Sequence, residues 1–196
     1  MKWKLFLVLL VAVPLCSFGA WFKKEKKPAP QSQNGKSAEI TTADLPAGYA
    51  LLYDLLSDEK NVSKLLLVKR ERDALDKVIN DIADAAKDAH KELEQLGKRV
   101  QFNLEDPKLP ALETATRDSI AKEKAQYLLK SKGAEFEFYL LSTQHQALTY
   151  GTHLAQSLAK AEADPARQEF LSKTAARFDQ LRERVSQLIN GHRKTS

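Results

Sequence analysis

The fold class follows from residues 65–96, which read LLLVKRERDALDKVINDIADAAKDAHKELEQL. Ten positions in this stretch recur at alternating intervals of three and four residues, and nine of them are apolar. The ten are Leu65, Val68, Arg72, Leu75, Ile79, Ile82, Ala86, Ala89, Leu93 and Leu96. This spacing places the side chains along one side of a helix, whereas a strand would alternate apolar and polar residues. It predicts a rod-like helix over residues 62–96, roughly 52 Å long at 1.5 Å per residue.

The sequence on either side of this stretch predicts where the helix begins and ends. Residues 57–59, Ser-Asp-Glu, offer a capping hydroxyl and the acidic side chains that favour a first turn. Gly97 is followed by two basic residues, a pattern that is typical of a helix end. A shorter helix, from about Pro46 to Leu56, is predicted to precede the long one.

Proline positions extend the helical prediction to the rest of the chain. Prolines are absent from residues 47–106 and 111–164, and none follows Pro165. Because proline breaks helix interiors, these proline-free blocks are predicted to be helical. In the last block, Asp164 and Pro165 are a favourable helix start, and residues 190–191, Asn-Gly, are predicted to end it. The apolar series of this block is Leu171, Thr174, Phe178, Leu181, Val185 and Leu188.

The middle block, residues 111–162, allows two interpretations. A glycine at position 133 favours a break between a helix at 111–131 and another at 134–162, since glycine costs about 1 kcal/mol inside a helix. Alternatively, Ile120, Tyr127 and Ala134 share a helical phase, which would allow one long bent helix. The second half carries two adjacent apolar stripes, so we expect it to contact more than one neighbouring helix.

Together these blocks predict an all-α protein. We expect an antiparallel bundle of long helices with three to four main helices, of the ferritin-like or the three-helix coiled-coil type. The bundle domain is predicted to span residues 44–190, followed by a disordered tail at 191–196.

The N-terminus has the charged, apolar and small-residue order of a secretory signal peptide. Cleavage after Gly19 is the favoured interpretation, which makes residues 1–19 the signal peptide. The uncharged run over residues 5–22 would alternatively serve as a membrane anchor, and Cys16 would allow a lipid-modified N-terminus. Residues 20–43 are basic and proline-rich and are predicted to be a flexible tether. The predicted location is periplasmic or extracytoplasmic.

The charge distribution argues against a nucleic-acid partner. The net charge is +5, but residues 1–27 hold six lysines and one glutamate, so the remaining 169 residues carry equal numbers of basic and acidic side chains. Phosphate binding needs a concentrated positive face, which a neutral body does not supply. The single cysteine excludes a disulfide framework and a cysteine-rich zinc site.

Two segments carry a family resemblance. Residues 128–148 read LLKSKGAEFEFYLLSTQHQAL, and residues 87–93 read KDAHKEL. The first resembles the third-helix signature, and the second a second-helix segment, of a ferritin-like family of exported bacterial bundle proteins with no assigned activity. The resemblance implies a helical bundle and an envelope location, and it implies no reaction.

The histidines are the candidate metal ligands. A di-iron site in a ferritin-like bundle needs Glu-x-x-His pairs, and no such pair occurs in the sequence. His90 and His145 are therefore only weak candidates, and no cofactor is predicted. We expect His145, which lies between Leu141 and Leu148 in the apolar series, to be a partly buried packing residue. His90 lies at the edge of its series and is expected to be solvated.

Arg72 is the one charged residue in the first apolar series. If the long helix pairs antiparallel with the following segment around residue 103, Arg72 faces Glu135 and Glu137. Polar residues in such a position set the register of helix pairing more than they stabilise it. The sequence therefore predicts a register pair between Arg72 and these two glutamates.

The sequence contains no phosphate-binding loop or nucleophile motif. We therefore expect a non-catalytic bundle protein of the bacterial cell envelope, exported or membrane-tethered, which acts through protein or surface contacts or self-association. A ferritin-like metal- or small-ligand-binding protein and a lipid-surface-binding helical protein are the alternatives.

Overall fold

The computed structural model describes residues 41–68, 73–100 and 102–195. The predicted signal peptide or anchor lies outside these residues, as does the predicted tether up to residue 40. Every regular element in the described part is helical, which confirms the all-α prediction. A single 3-10 turn, Thr42–Asp44, precedes six α-helices: α1 (Leu45–Glu59), α2 (Lys64–Val68), α3 (Asp73–Val100), α4 (Ala111–Lys130), α5 (Gly133–Ala161) and α6 (Pro165–Thr195). None of these helices is long and apolar enough to span a membrane.

The core lies between α1, α3, α5 and α6. Helices α5 and α6 form the most extensive pair, α1 packs on both α3 and α5, and α6 also packs on α3. The largest wholly buried side chains are Tyr49 from α1, Phe136 from α5 and Phe178 from α6. Because α5 contacts α1, α4 and α6, the expectation that its wide apolar face meets several neighbours is confirmed.

The apolar series of the first long block faces this core. Its members in α3 are buried or packed against the core, as the spacing predicts: Leu75, Ile79, Ile82, Ala86, Ala89, Leu93 and Leu96. Residues 69–72 lie outside the described part of the chain. The continuity of one helix over 62–96 therefore stays a prediction.

The residues assigned to the two ends of this helix have other roles in the structure, so both assignments are wrong. Residues 57–59 form the last turn of α1, and the chain leaves that helix through a turn in which Asn61 Nδ2 donates to the Ser57 carbonyl at 2.8 Å. At the other end α3 continues past Gly97 to Val100. Gly97 is buried against Leu104, whose Cδ1 would lie 2.5 Å from a Cβ at that position. This glycine gives room to the returning chain and does not end the helix.

The middle block is divided into two helices, as the favoured interpretation predicts. Helix α4 ends at Lys130, residues 131 and 132 are extended, and α5 begins at Gly133. Gly133 has a φ of 54°. This left-handed conformation is readily adopted only by glycine, so the residue allows the sharp reversal between the two helices.

Helix α6 begins as predicted and ends later than predicted. The Asp164 Oδ1 atom accepts a hydrogen bond from the Arg167 backbone N–H at 2.9 Å, which is the geometry of an N-cap. The predicted end at residues 190–191 is wrong, because the helix continues to Thr195. A single glycine inside a helix costs only about 1 kcal/mol, so Gly191 does not by itself stop it.

Helix α5 lies close to both α1 and α6 at Gly151. A Cβ on this residue would lie 2.7 Å from two ring carbons of Phe178 and 2.8 Å from Leu55 Cδ2. The missing side chain therefore sets the separation of three core helices.

Candidate functional site

Five polar side chains meet where α1 packs on α3. Tyr53 and Ser57 lie on α1, Lys60 follows its last turn, and His90 and Glu94 lie one turn apart on α3. Residues spaced by three or four positions share one side of a helix, so each segment presents its polar groups to the other.

His90 is the centre of this cluster. Its Nε2 atom lies 2.8 Å from Lys60 Nζ and 3.4 Å from Ser57 Oγ, and its Nδ1 atom lies 3.9 Å from Glu94 Oε1. The Tyr53 ring stacks on the imidazole with centroids 4.4 Å apart, and its hydroxyl donates to Glu94 Oε1 at 2.9 Å. Since an ammonium group can only donate, Nε2 is the acceptor and the network assigns the imidazole proton to Nδ1, facing Glu94.

The surroundings of His90 favour its neutral form. Burial lowers the pKa of His90, the charge of Lys60 lowers it further, and Glu94 opposes both effects. Burial likewise lowers the pKa of Lys60. Burial together with the hydrogen bond to Glu94 raises the pKa of Tyr53 to about 12. The cluster therefore holds a neutral imidazole between an ammonium and a carboxylate.

The order serine, imidazole, carboxylate invites comparison with a hydrolytic triad, but the geometry does not support one. In a triad the imidazole nitrogen that faces the serine must be free to take its proton. Here Lys60 donates to that nitrogen at 2.8 Å, and the Ser57 hydroxyl lies farther away at 3.4 Å. The cluster is better described as a polar clasp that joins α1 to α3.

The clasp predicts two opposite changes in the pKa of His90. Removing the cation with Lys60→Met is expected to raise it, although not to the ordinary value of about 6.5, because burial remains. Removing the carboxylate with Glu94→Gln is expected to lower it. Imidazole resonances followed by NMR against pH measure both changes, with His145 as the internal control that should not move. A His90 pKa that stays constant in both variants would contradict this arrangement.

The burial of His90 differs from the sequence expectation. Its side chain is buried, with a residue exposure of 6%, and not solvated. The edge of the α3 apolar series is covered by α1, which carries Tyr53 and Lys60 to it. Spacing along one helix does not reveal which neighbour covers its edge.

His145 lies in a different helix pair. It is half-buried on α5, as expected, and the nearest charged groups that influence it are Arg182 and Glu183 on α6. Burial and the charge of Arg182 lower the pKa of His145. Across the described ranges no three His, Cys, Asp or Glu side chains lie close enough together to hold a metal ion. The structure therefore does not bring His90 and His145 into one ligand set.

Of the predicted register pair, Arg72 lies outside the described residues. Glu135 is exposed and accepts a hydrogen bond from the Tyr127 hydroxyl at 2.6 Å. Glu137 is buried, with 3% exposure. The pairing of Arg72 with these glutamates stays a prediction.

A second polar network closes the end of the molecule where α5 turns into α6. Glu162 accepts hydrogen bonds from the Tyr49 hydroxyl at 2.7 Å, from Arg167 Nε and Nη2 at 2.9 and 2.8 Å, and from the Asp164 backbone N–H at 2.9 Å. The Glu162 side chain is 1% exposed. The Arg167 guanidinium and the backbone N–H lower the pKa of Glu162 to about 2, against the opposing effect of burial. This network joins α1, in the first half of the chain, to the turn between α5 and α6.

A third polar group lies inside the core. Glu59, the last residue of α1, is 1% exposed, and Gln144 on α5 is fully buried. Within the described part of the chain, neither the carboxyl oxygens of Glu59 nor the amide atoms of Gln144 make a hydrogen bond of ordinary geometry, although the Gln144 amide lies close enough to the Glu59 carboxyl to oppose the rise in its pKa. Sequence reasoning missed this pair because it assigned Glu59 to an exposed first turn. Asn61, a residue type that favours helix ends, is the signal in the sequence, and in the structure its side chain donates to the Ser57 carbonyl.

The exposed apolar surface is concentrated on α4 and the start of α5. In the described residues the exposed large apolar side chains are Leu112, Tyr127 and Leu129 on α4 and Phe138 on α5. Only Ala121 and Leu128 of α4 are buried. Helix α4 therefore contributes little to the core and presents apolar side chains to the solvent.

Comparisons of the chain with protein-family models, with curated proteins and with solved structures found no match.

Proposed function

We propose that this chain is an exported or membrane-tethered helical-bundle protein of the bacterial cell envelope that acts by contact with a protein or a surface. The observation that carries the proposal is the concentration of exposed apolar side chains on α4 and the start of α5. Single exposed apolar residues are ordinary, but several on two consecutive helices are typical of an interaction surface. The signal-peptide pattern of residues 1–19 supports the location.

We further propose that the core is an antiparallel four-helix bundle of the ferritin-like type. Contacts of Gly48 with Leu158 and of Gly151 with Leu55 support opposite directions for α1 and α5. The pairing of Tyr53 with Glu94 and of Ser57 with His90 supports opposite directions for α1 and α3.

Helix α6 completes this proposed arrangement. The ion pair of Arg184 with Asp81 at 2.7 Å and the proximity of Lys173 to Glu92 support opposite directions for α3 and α6. In a ferritin-like bundle two helical hairpins are joined by one long crossover. Residues 102–132, which include α4, have that position between the α1–α3 and α5–α6 hairpins.

Contact at this surface is tested by photo-crosslinking in the native host. Phe138 is replaced by the photoreactive residue benzoylphenylalanine in the full chain, with the same replacement at Gln180, an exposed position on α6, as the control. We expect adducts of defined mass from position 138 and none from position 180. Equal adducts at both positions, or none at position 138, would contradict the proposed contact surface.

The same material distinguishes the alternatives. Intact mass spectrometry of the native protein is expected to show a chain that lacks residues 1–19. A retained or acylated N-terminus would support the tethered form. A stoichiometric metal would support the ferritin-like metal-binding alternative and contradict our proposal. Adducts to lipid at position 138 would identify the surface as a membrane, as the lipid-surface alternative requires.

A further inference from the structure

The buried pair of Glu59 and Gln144 consists of a carboxyl and an amide from facing helices, α1 and α5. Four polar atoms are withdrawn from water, and among the described residues none of them makes a hydrogen bond of ordinary geometry. Their neighbours along the same two helices are wholly buried apolar side chains, including Leu55, Leu56 and Leu148. A neutral carboxylic acid and an amide can both donate and accept, so a small side-chain adjustment pairs them. A carboxylate cannot donate, and its desolvation there is far more costly.

The charged groups around Glu59 do not compensate an ionised carboxylate. From its own helix, Asp58 adds a like charge. From α3, His90 is bonded to Lys60, and Glu94 to Tyr53. From α5, Gln144 is neutral, and the next acid on the same side is Glu137, seven positions earlier. Burial, with Asp58, raises the pKa of Glu59 to about 8, although Gln144 opposes the rise.

We propose that Glu59 and Gln144 form a proton-operated latch at the end of α1. With Glu59 protonated, the pair remains in the core and holds the last turn of α1 against α5. When Glu59 loses its proton, the carboxylate moves out to water and the last turn of α1 separates from α5.

The position of Glu59 makes this opening local. It is the final residue of α1 and is followed by a turn at residues 60–63, so the end of the helix can unwind without displacing the rest. Earlier positions of α1 are fastened independently, because Tyr49 is bonded to Glu162 and Tyr53 to Glu94. The polar contacts of this segment with α3, those of Ser57 and Lys60 with His90, open together with the last turn of α1. Local opening of this kind is ordinary at the end of a helix. The opening is therefore confined to about residues 55–66.

Hydrogen exchange of the full-length chain tests the latch. Between pH 6 and pH 9, after correction for intrinsic exchange rates, the opening of residues 55–66 is expected to increase about a hundredfold, from the shift between 4.5 and about 8. Residues 170–188 of α6 should show no such change. Glu59→Gln, which mimics the protonated acid, should be at least as protected at pH 9 as the parent protein is at pH 6. Glu169→Gln, the same change at an exposed carboxyl, should behave as the parent protein does.

A second measurement keeps the test decisive if Glu59→Gln folds poorly. Carbon-13 NMR of labelled glutamate carboxyls in the parent protein should show one carboxyl that titrates several pH units above the others. Unchanged protection of residues 55–66 between the two pH values, or the same change in Glu59→Gln, would overturn the proposal. Equal loss of protection throughout α6 would also overturn it, since that outcome means global and not local opening.

Discussion

Replacement of Arg167 with methionine is expected to lower the free energy of unfolding by about 3 kcal/mol at pH 7. The substitution leaves the Glu162 carboxylate in a site where its side chain is 1% exposed, and it removes two of the four hydrogen bonds that Glu162 accepts. Breaking one side of a buried pair is more damaging than removing both, because the remaining charge is desolvated without compensation. Urea unfolding at pH 7 measures the loss.

The matched control is Lys173→Met on the same helix. Lys173 pairs with Glu169, but both side chains are largely exposed, so removal of this cation should leave the unfolding free energy nearly unchanged. If the two variants lose the same stability, the Glu162 network does not have the role assigned to it.

The pH dependence of stability has a definite sign at this site. The pKa of Glu162 is about 2 in the folded protein and 4.5 in the unfolded chain, so folding favours the ionised carboxylate. The stabilisation is complete above about pH 4.5 and is lost as the pH falls towards 2. Arg167→Met should therefore lose stability less steeply over this interval than the parent protein does. A steeper acid dependence in the variant would contradict the assignment.

Replacement of Gly151 with valine is expected to cost about 3 kcal/mol. A Cβ at this position would lie 2.7 Å from the Phe178 ring. A rigid aromatic ring cannot bend aside as the end of a flexible side chain can. The added side chain must therefore move α5 away from α1 and α6. Gly191→Val is the matched control, because a Cβ there meets no atom within 4 Å. Thermal and urea unfolding of both variants measure the difference.

A double-mutant cycle tests whether the strain in Gly151→Val arises from the contact with Phe178. Phe178→Leu removes the ring that the new side chain would meet, although it is itself destabilising because it leaves a cavity. The combined variant of Gly151→Val and Phe178→Leu is expected to be more stable than the sum of the two single losses indicates. Strict additivity would mean that the two residues do not share the contact seen in the structure.

Much of the fold could be predicted from the sequence, because the residue patterns that bury one side of a helix or mark its ends are local. The three- and four-residue spacing identified the buried side of α3, Gly133 marked the reversal between α4 and α5, and Asp164 marked the start of α6. Each of these signals depends on residues close together in the chain. The misplaced boundaries at residues 57–59 and at Gly97 show the limit of such signals, since the same residue types also occur in last turns and at close contacts.

The candidate sites depend on which helices meet, and local spacing does not supply that information. His90 is buried because α1 covers it, and Glu59 is buried because α1 ends against α5. The resemblance to an exported ferritin-like family pointed to a bundle but assigned no role to these residues. The clasp, the buried pair of Glu59 and Gln144 and the Glu162 network could be recognised only from the tertiary structure.

The hydrogen bond between Tyr49 and Glu162 joins residues that are 113 positions apart. During synthesis at roughly 5–20 residues per second, about 6 to 23 s separate the emergence of these two residues. Part of the apolar face of α1 therefore stays uncovered for that interval, since α5 and α6 are synthesised last. Contacts between such distant residues also make folding slow. This interval is the period in which the newly made chain is most open to chaperones, proteases or a secretion apparatus that requires unfolded protein.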